Sequence, residues 1–120
     1  MNKSRTLHGF WASFGWNAYE QNLVPDDAEF PYITYDVQLD NLGQPLYLSA
    51  ALFDRSTSWA SVTEKADEIA AEIGQGLVLT LDNGFLWIVR GTPFAQHGQD
   101  DDDTVRRMDI NISAEFLTAI

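Results

Sequence analysis

The chain has 120 residues, a mass of 13.5 kDa and zero cysteines, so it has room for one hydrophobic core and no disulfide or thiolate site. Seven Lys and Arg face eighteen Asp and Glu, a formal net charge of −11 with pI about 4.2. That balance argues against gripping nucleic acid through its phosphates and against anionic membrane surfaces.

Composition is otherwise that of a folded protein, 45% hydrophobic and 21% charged. Residues 1–120 read as a single domain. The absence of cysteine fits a reducing compartment or a protein stabilised by association. No run approaches the ~20 apolar residues needed to cross a bilayer. The start, Met1 to Arg5, is mildly basic, but His8 and Gly9 interrupt any signal-peptide core, so a soluble, unprocessed chain is expected.

In chain order, residues 3–15 predict a short helix, with Leu7, Phe10, Trp11 and Phe14 on one face and Gly15 as its stop. A short extended piece follows near Trp16–Glu20. Residues 32–39 alternate, with Ile33, Tyr35, Val37 and Leu39 facing one way, which predicts a half-buried strand. Asp40 to Pro45 is turn chemistry, and the apolar run Leu46–Phe53 suits a central strand paired with the preceding one.

The second helix is the clearest expectation. Ser58 or Ser61 can cap it, and Ser61-Val62-Thr63-Glu64 has the capping-box pattern. Trp59, Val62, Ala66, Ile69 and Ile73 fall on one stripe, and Gly74-Gln75-Gly76 ends the helix. Leu77–Leu81 and Phe85–Arg90 flank Asp82-Asn83-Gly84, a hairpin signal that calls for positive φ at the turn. Gly91–Asp103 lacks periodicity and reads as a long loop. Met108, Ile110, Ile112, Ala114 and Phe116 then alternate with polar residues as a long strand, exposed and available for contacts. Together these predict an α+β domain, two helices covering one face of a mainly antiparallel sheet.

Catalytic constellations are not found. His8 reads as a surface histidine, and His97 precedes the acidic run Asp100, Asp101, Asp102 and Asp103 without the ligand spacing of a calcium loop. Phosphate-loop, serine-elbow and zinc-helix motifs are lacking. The chain is therefore expected to be no enzyme, with no catalytic residue, metal or cofactor.

What remains is charge and aromatic excess. Glu64, Glu68 and Glu72 stand at i, i+4 and i+8 on a helix, a mutually repelling stripe that only Lys65 can offset. Four Trp, four Tyr and seven Phe exceed what a small core needs. Trp59 and Trp87 read as core; Trp11 and Trp16 are expected to stay uncovered and to mark a protein contact. Arg106 and Arg107 point to opposite faces of the last strand.

The stretches VPDDAEFPYITYDV (24–37), LFDRSTSWASVTEKADEIAAEIG (52–74), NGFLWIVRGTPFAQ (83–96) and DDDTVRRMDINISAEFLT (101–118) resemble small tail proteins of long-tailed bacteriophages and prophages, and look similar to tail terminators. The resemblance runs from about Trp16 to the C-terminus. It implies a sheet flanked by helices and a homo-oligomeric ring, hexameric in expectation. Such a ring caps the tail tube protein and meets head–tail connector proteins. It implies residence in the virion, at the tail or neck, after assembly in the host cytoplasm. DNA would pass through without specific binding, and no membrane is involved. The expected subunit-interface or lumen residues are Trp11, Trp16, Glu64, Glu68, Glu72, Asp100, Asp101, Asp102, Asp103, Arg106 and Arg107. A neighbouring neck protein and a monomeric acidic binding module are the alternatives.

Overall fold

The computed structural model describes residues 3–38 and 45–118. Helix α1 spans Lys3–Ala12 and α2 spans Ala60–Ile73; the strands are β1 Asn17–Glu20, β2 Tyr32–Tyr35, β3 Leu46–Arg55, β4 Leu77–Leu81, β5 Gly84–His97 and β6 Val105–Thr118. They form one six-stranded sheet in the order β1-β2-β3-β6-β5-β4. Only β1 and β2 are parallel; every other neighbouring pair is antiparallel. This is the α+β class that the alternating and helical patterns predict.

Both helices lie on one face. Side chains of a strand alternate between faces, so Ile33 and Tyr35, Leu46 to Leu52, Leu86 and Ile88, and Met108 to Phe116 send every second residue under the helices. From α2, Val62, Ala66, Ile69 and Ile73 close the core. Helix α1 touches both β1 and β4, strands at opposite ends of the order, so the sheet curls around it. That position explains Trp11. It was expected to be uncovered, yet it is only 1% exposed, packed edge-on to Phe10 at 4.8 Å inside the curl.

Other expectations are met or corrected at element level. Strand β3 is central and paired with β2 as its apolar run predicts, with Tyr47 and Ser49 facing solvent. Strand β6 is not free for contacts along its edges, because β3 and β5 pair with it on either side. Residues 91–97 are strand rather than loop. Here five steps along β5, from Arg90 to Ala95, oppose two along β6, from Ile112 to Ile110. This bulge hides the period of two. Gly91 sits in it, where a Cβ would lie 2.8 Å from the Asn111 carbonyl oxygen.

The hairpin at residues 81–84 is present, with Leu81 paired to Gly84. Its turn is not of the positive-φ kind, since neither Asp82 nor Asn83 has a positive φ. Strand β2 stops at Tyr35 and Val37 continues only as a half-buried side chain. The place expected for Leu39 and the turn of residues 40–44 lie outside the described residues.

Candidate assembly surface

Among the described residues, the second face of the sheet carries no helix. Register places Val78, Trp87 and Glu115 in one row across β4, β5 and β6, and Thr80, Phe85 and Leu117 in the next. Val89, Ser113 and Tyr47 make a third row reaching β3. Tyr47, Val78, Phe85, Trp87 and Leu117 are between 43 and 79% exposed. Val78, Phe85, Trp87 and Leu117 thus adjoin across β4, β5 and β6, with Tyr47 on β3 beyond Ser113 and Glu115. Among them Glu115 is the charged residue on this side. Clusters of this kind, rich in aromatics and poor in charge, are what protein contacts are made of.

Trp87 was expected in the core. Leu86 and Ile88 take the buried positions on β5, so the residue between them must face outward. The indole lies over Gly76, where a Cβ would come 2.8 Å from Trp87 Nε1, and Gly76 has φ of +153°. Trp87 lies within an apolar run, a buried-type position, which is why a core place is the expectation for it. The alternation Phe85, Trp87 against Leu86, Ile88 was the available signal.

Further along the same face the surface becomes polar. Gln21, Thr34, Ser49, Gln96, Asp100, Arg107, Asp109 and Asn111 line a groove of about 530 Å³. Arg107 Nε donates to Asp109 Oδ1 at 2.7 Å, and its guanidinium lies 5.6 Å from the Phe53 ring centre. Phe53 stacks on Tyr32 at 5.1 Å, and Tyr32 meets Tyr19 at 5.9 Å. Burial first, then the charge of Asp100 and the Tyr19 hydroxyl, raise the Tyr32 pKa above its ordinary value.

The acidic run is tied down rather than loose. Asp102 Oδ1 accepts from the Thr104 N–H at 2.8 Å and from Thr104 Oγ1 at 2.7 Å, and Arg55 Nη1 donates to Asp102 Oδ2 at 3.2 Å. The Thr104 hydrogen bonds chiefly, and Arg55 after them, lower the Asp102 pKa below 3.8. Asp100 Oδ1 accepts from the Asp102 N–H, while Asp101 and Asp103 are exposed. Arg106 turns back to the other face: it donates to the carbonyls of Asp103 and Thr57 and lies 5.5 Å from the Trp59 ring centre. Trp59 in turn stacks on His97 at 3.6 Å with 2° between the rings. That stack fastens the start of α2 to the end of β5.

Glu64, Glu68 and Glu72 are exposed on α2, hence on the helix side of the sheet. Asp100 borders the groove on the bare side. The structure therefore does not bring the two acidic groups into one surface. Lys65 donates to Glu68 at 2.8 Å and to the Phe14 carbonyl at 2.7 Å, and sits 5.2 Å from the Trp16 ring centre, so Trp16 is half-covered. The expected capping box is replaced: Ser61 lies within α2 and its hydroxyl donates to Asp54, while Ser58 Oγ accepts the Ala60 N–H at 3.1 Å. Among the described residues no group of three His, Asp or Glu side chains is placed to hold a metal ion.

Neither the protein-family models nor the curated proteins contain a match to this sequence. Among solved structures, the chain is similar to a component of the virion of a native gene transfer agent particle. The TM-score is 0.53 at 16% identity, covering 89% of this chain and 83% of that one. The two share a fold.

Proposed function

We propose that this chain is a structural, non-catalytic subunit of a phage-like virion, and more specifically a tail-completion protein that assembles into a ring. The observation that carries this reading is the bare end of the sheet. A 120-residue chain that leaves Val78, Phe85, Trp87 and Leu117 together in solvent, with Tyr47 beyond them, keeps a contact surface for another protein. The likeness in fold to a virion component supports the same reading.

In this reading the ring, a hexamer, caps the tail tube and meets the head–tail connector. It resides at the neck of the particle and forms in the host cytoplasm. The net charge of −11 suits a passage for DNA, because a polyanion gains affinity only where basic groups neutralise its phosphates. Asp100, on the groove of the bare face, is better placed to border such a passage than the glutamates of α2. Arg106 and Arg107 are both spoken for within the subunit.

Negative-stain imaging of the purified chain over rising concentration tests the proposal. Closed rings of uniform diameter are expected. Particles that stay the size of a 13.5 kDa monomer would refute it.

A further inference from the structure

Strand β4 is an edge of the sheet, with β5 as its single neighbour in the strand order. Only two residues separate Leu81 from its partner Gly84, so that pair must be of the kind that exchanges both backbone hydrogen bonds. The register runs on unbroken through Leu79 with Leu86 and Leu77 with Ile88. Alternation along an antiparallel ladder then turns the N–H and C=O of Leu77, Leu79 and Leu81 toward β5, and those of Val78 and Thr80 outward. Among the described residues no turn, loop or cap hydrogen bond reaches Val78 or Thr80. Their donors and acceptors stand open in a row along the edge.

Proteins blunt such an edge with charge, proline or brevity. The other edge is treated that way: β1 has four residues and ends on Glu20, whose carbonyl already accepts the Leu23 N–H at 2.9 Å. Strand β4, Leu-Val-Leu-Thr-Leu, has neither charge nor proline. Val78 and Thr80 are exposed, and Leu77 and Leu79 are only half-buried.

We infer that β4 of one copy of this chain pairs antiparallel with β4 of a second copy, about a two-fold axis at Leu79, so that two sheets become one. A row of open backbone groups is matched by another strand, and this strand is its own complement. With Leu79 opposite its counterpart, Val78 of each copy falls opposite Thr80 of the other, and every open N–H and C=O of both residues finds a partner. Side chains agree with that register. Val meets Thr on the bare face, while Leu79 meets Leu79 and Leu77 meets Leu81 on the helix face, pairs of the kind that stabilise sheets. Asp82, the acidic residue next to β4 in the chain, falls opposite Gly76 and so meets no like charge across the joint. Repulsion between copies that each carry −11 opposes the pairing at long range, and salt relieves it. A two-fold contact closes on itself. It joins subunits, or rings back to back, in pairs, and does not depend on the ring reading.

The full chain has zero cysteines, so single introduced ones report the register. Leu79 and its counterpart form a pair without mutual hydrogen bonds, with Cα atoms about 4.5 Å apart and within disulfide reach. Leu79→Cys should therefore give a covalent dimer under air oxidation. Thr80 lies two residues out of line with its counterpart, about 8–9 Å away, and Thr80→Cys should not cross-link. Thr80→Pro removes an open N–H and leaves the β5 ladder whole. Sedimentation velocity in about 0.3 M salt should show it losing about tenfold or more in association constant. Thr80→Lys serves beside it should the proline disturb circular dichroism, and should lose as much although it lowers the net charge. Cross-linking at 80 as readily as at 79, or undiminished association of both Thr80→Pro and Thr80→Lys, overturns the inference. So does a lack of cross-linking at either position, which leaves the edge to an extended segment of another protein. Rings formed by the Thr80 variants keep the ring reading standing by itself; a wild type that gives the Leu79 register in dimers and never rings removes that reading and keeps the pairing.

Discussion

At the residue scale, close approach and local hydrogen bonding decide the behaviour of the surface. Gly76 lets the Trp87 indole lie against the start of β4. Gly76→Ala should push the ring away, because its Cβ would meet Nε1 at 2.8 Å and the φ of +153° disfavours a side chain. A shift in the Trp87 indole NMR resonance, with the remaining three Trp signals unmoved, checks this. Asp102 offers a titration. Its pKa is lowered chiefly by Thr104, so its carboxylate favours the folded loop above 3.8, the ordinary value, and that favour is lost as pH falls through the lower folded-state pKa. Thr104→Val should return the Asp102 pKa toward 3.8, read by carboxyl NMR. No change would mean that the residue-104 backbone N–H and Arg55, not the Thr104 hydroxyl, hold the carboxylate.

At the element scale, α2 shows which face matters. Ile69 is fully buried between the helix and the sheet. Ile69→Ala should cost about 2–5 kcal/mol in urea unfolding, the usual range for emptying a core site. Glu64→Gln on the outer face should stay within about 0.5 kcal/mol. Much of this architecture was legible in the sequence. The stripe Val62, Ala66, Ile69, Ile73 and the alternation from Met108 to Phe116 mark buried faces by spacing alone, and they place both elements. What spacing does not carry is which sheet face a helix will cover or what lies at a sheet end. Trp11 reads as exposed because a small sheet-plus-helix domain offers no evident cover near the N-terminus in one dimension; curling of the sheet supplies it. Trp87 falls on a buried-type position in an apolar run, yet its neighbours Leu86 and Ile88 occupy the inside. The bulge at Arg90–Ala95 erased the period of β5, so seven residues of strand looked like loop.

At the scale of the whole molecule, one sheet face is sealed by two helices and the other is divided into an apolar end and a polar groove. Along β6 the groove residues Asp109 and Asn111 run directly on to the rows of Ser113, Glu115 and Leu117, so the two regions adjoin and together span eight steps of strand, roughly 27 Å at about 3.4 Å per residue. A subunit built this way is held together by its own core and has apolar surface left for others. Its charge sets the conditions. Because like-charged copies repel, association should strengthen as salt rises from about 0.05 to about 0.3 M, where screening shortens the range of the repulsion. Light scattering measures it; weakening with salt would point to ion pairs at the interface instead of apolar contact.

Hydrogen exchange, compared between dilute and concentrated protein, tests the central claim most directly, that the bare end of the sheet is where this chain meets its like. The account predicts slower exchange on concentration in residues 77–89, with α2 unchanged. Exchange that is independent of concentration across residues 77–89, or protection that appears on the Glu64, Glu68 and Glu72 face of α2 instead, would contradict it.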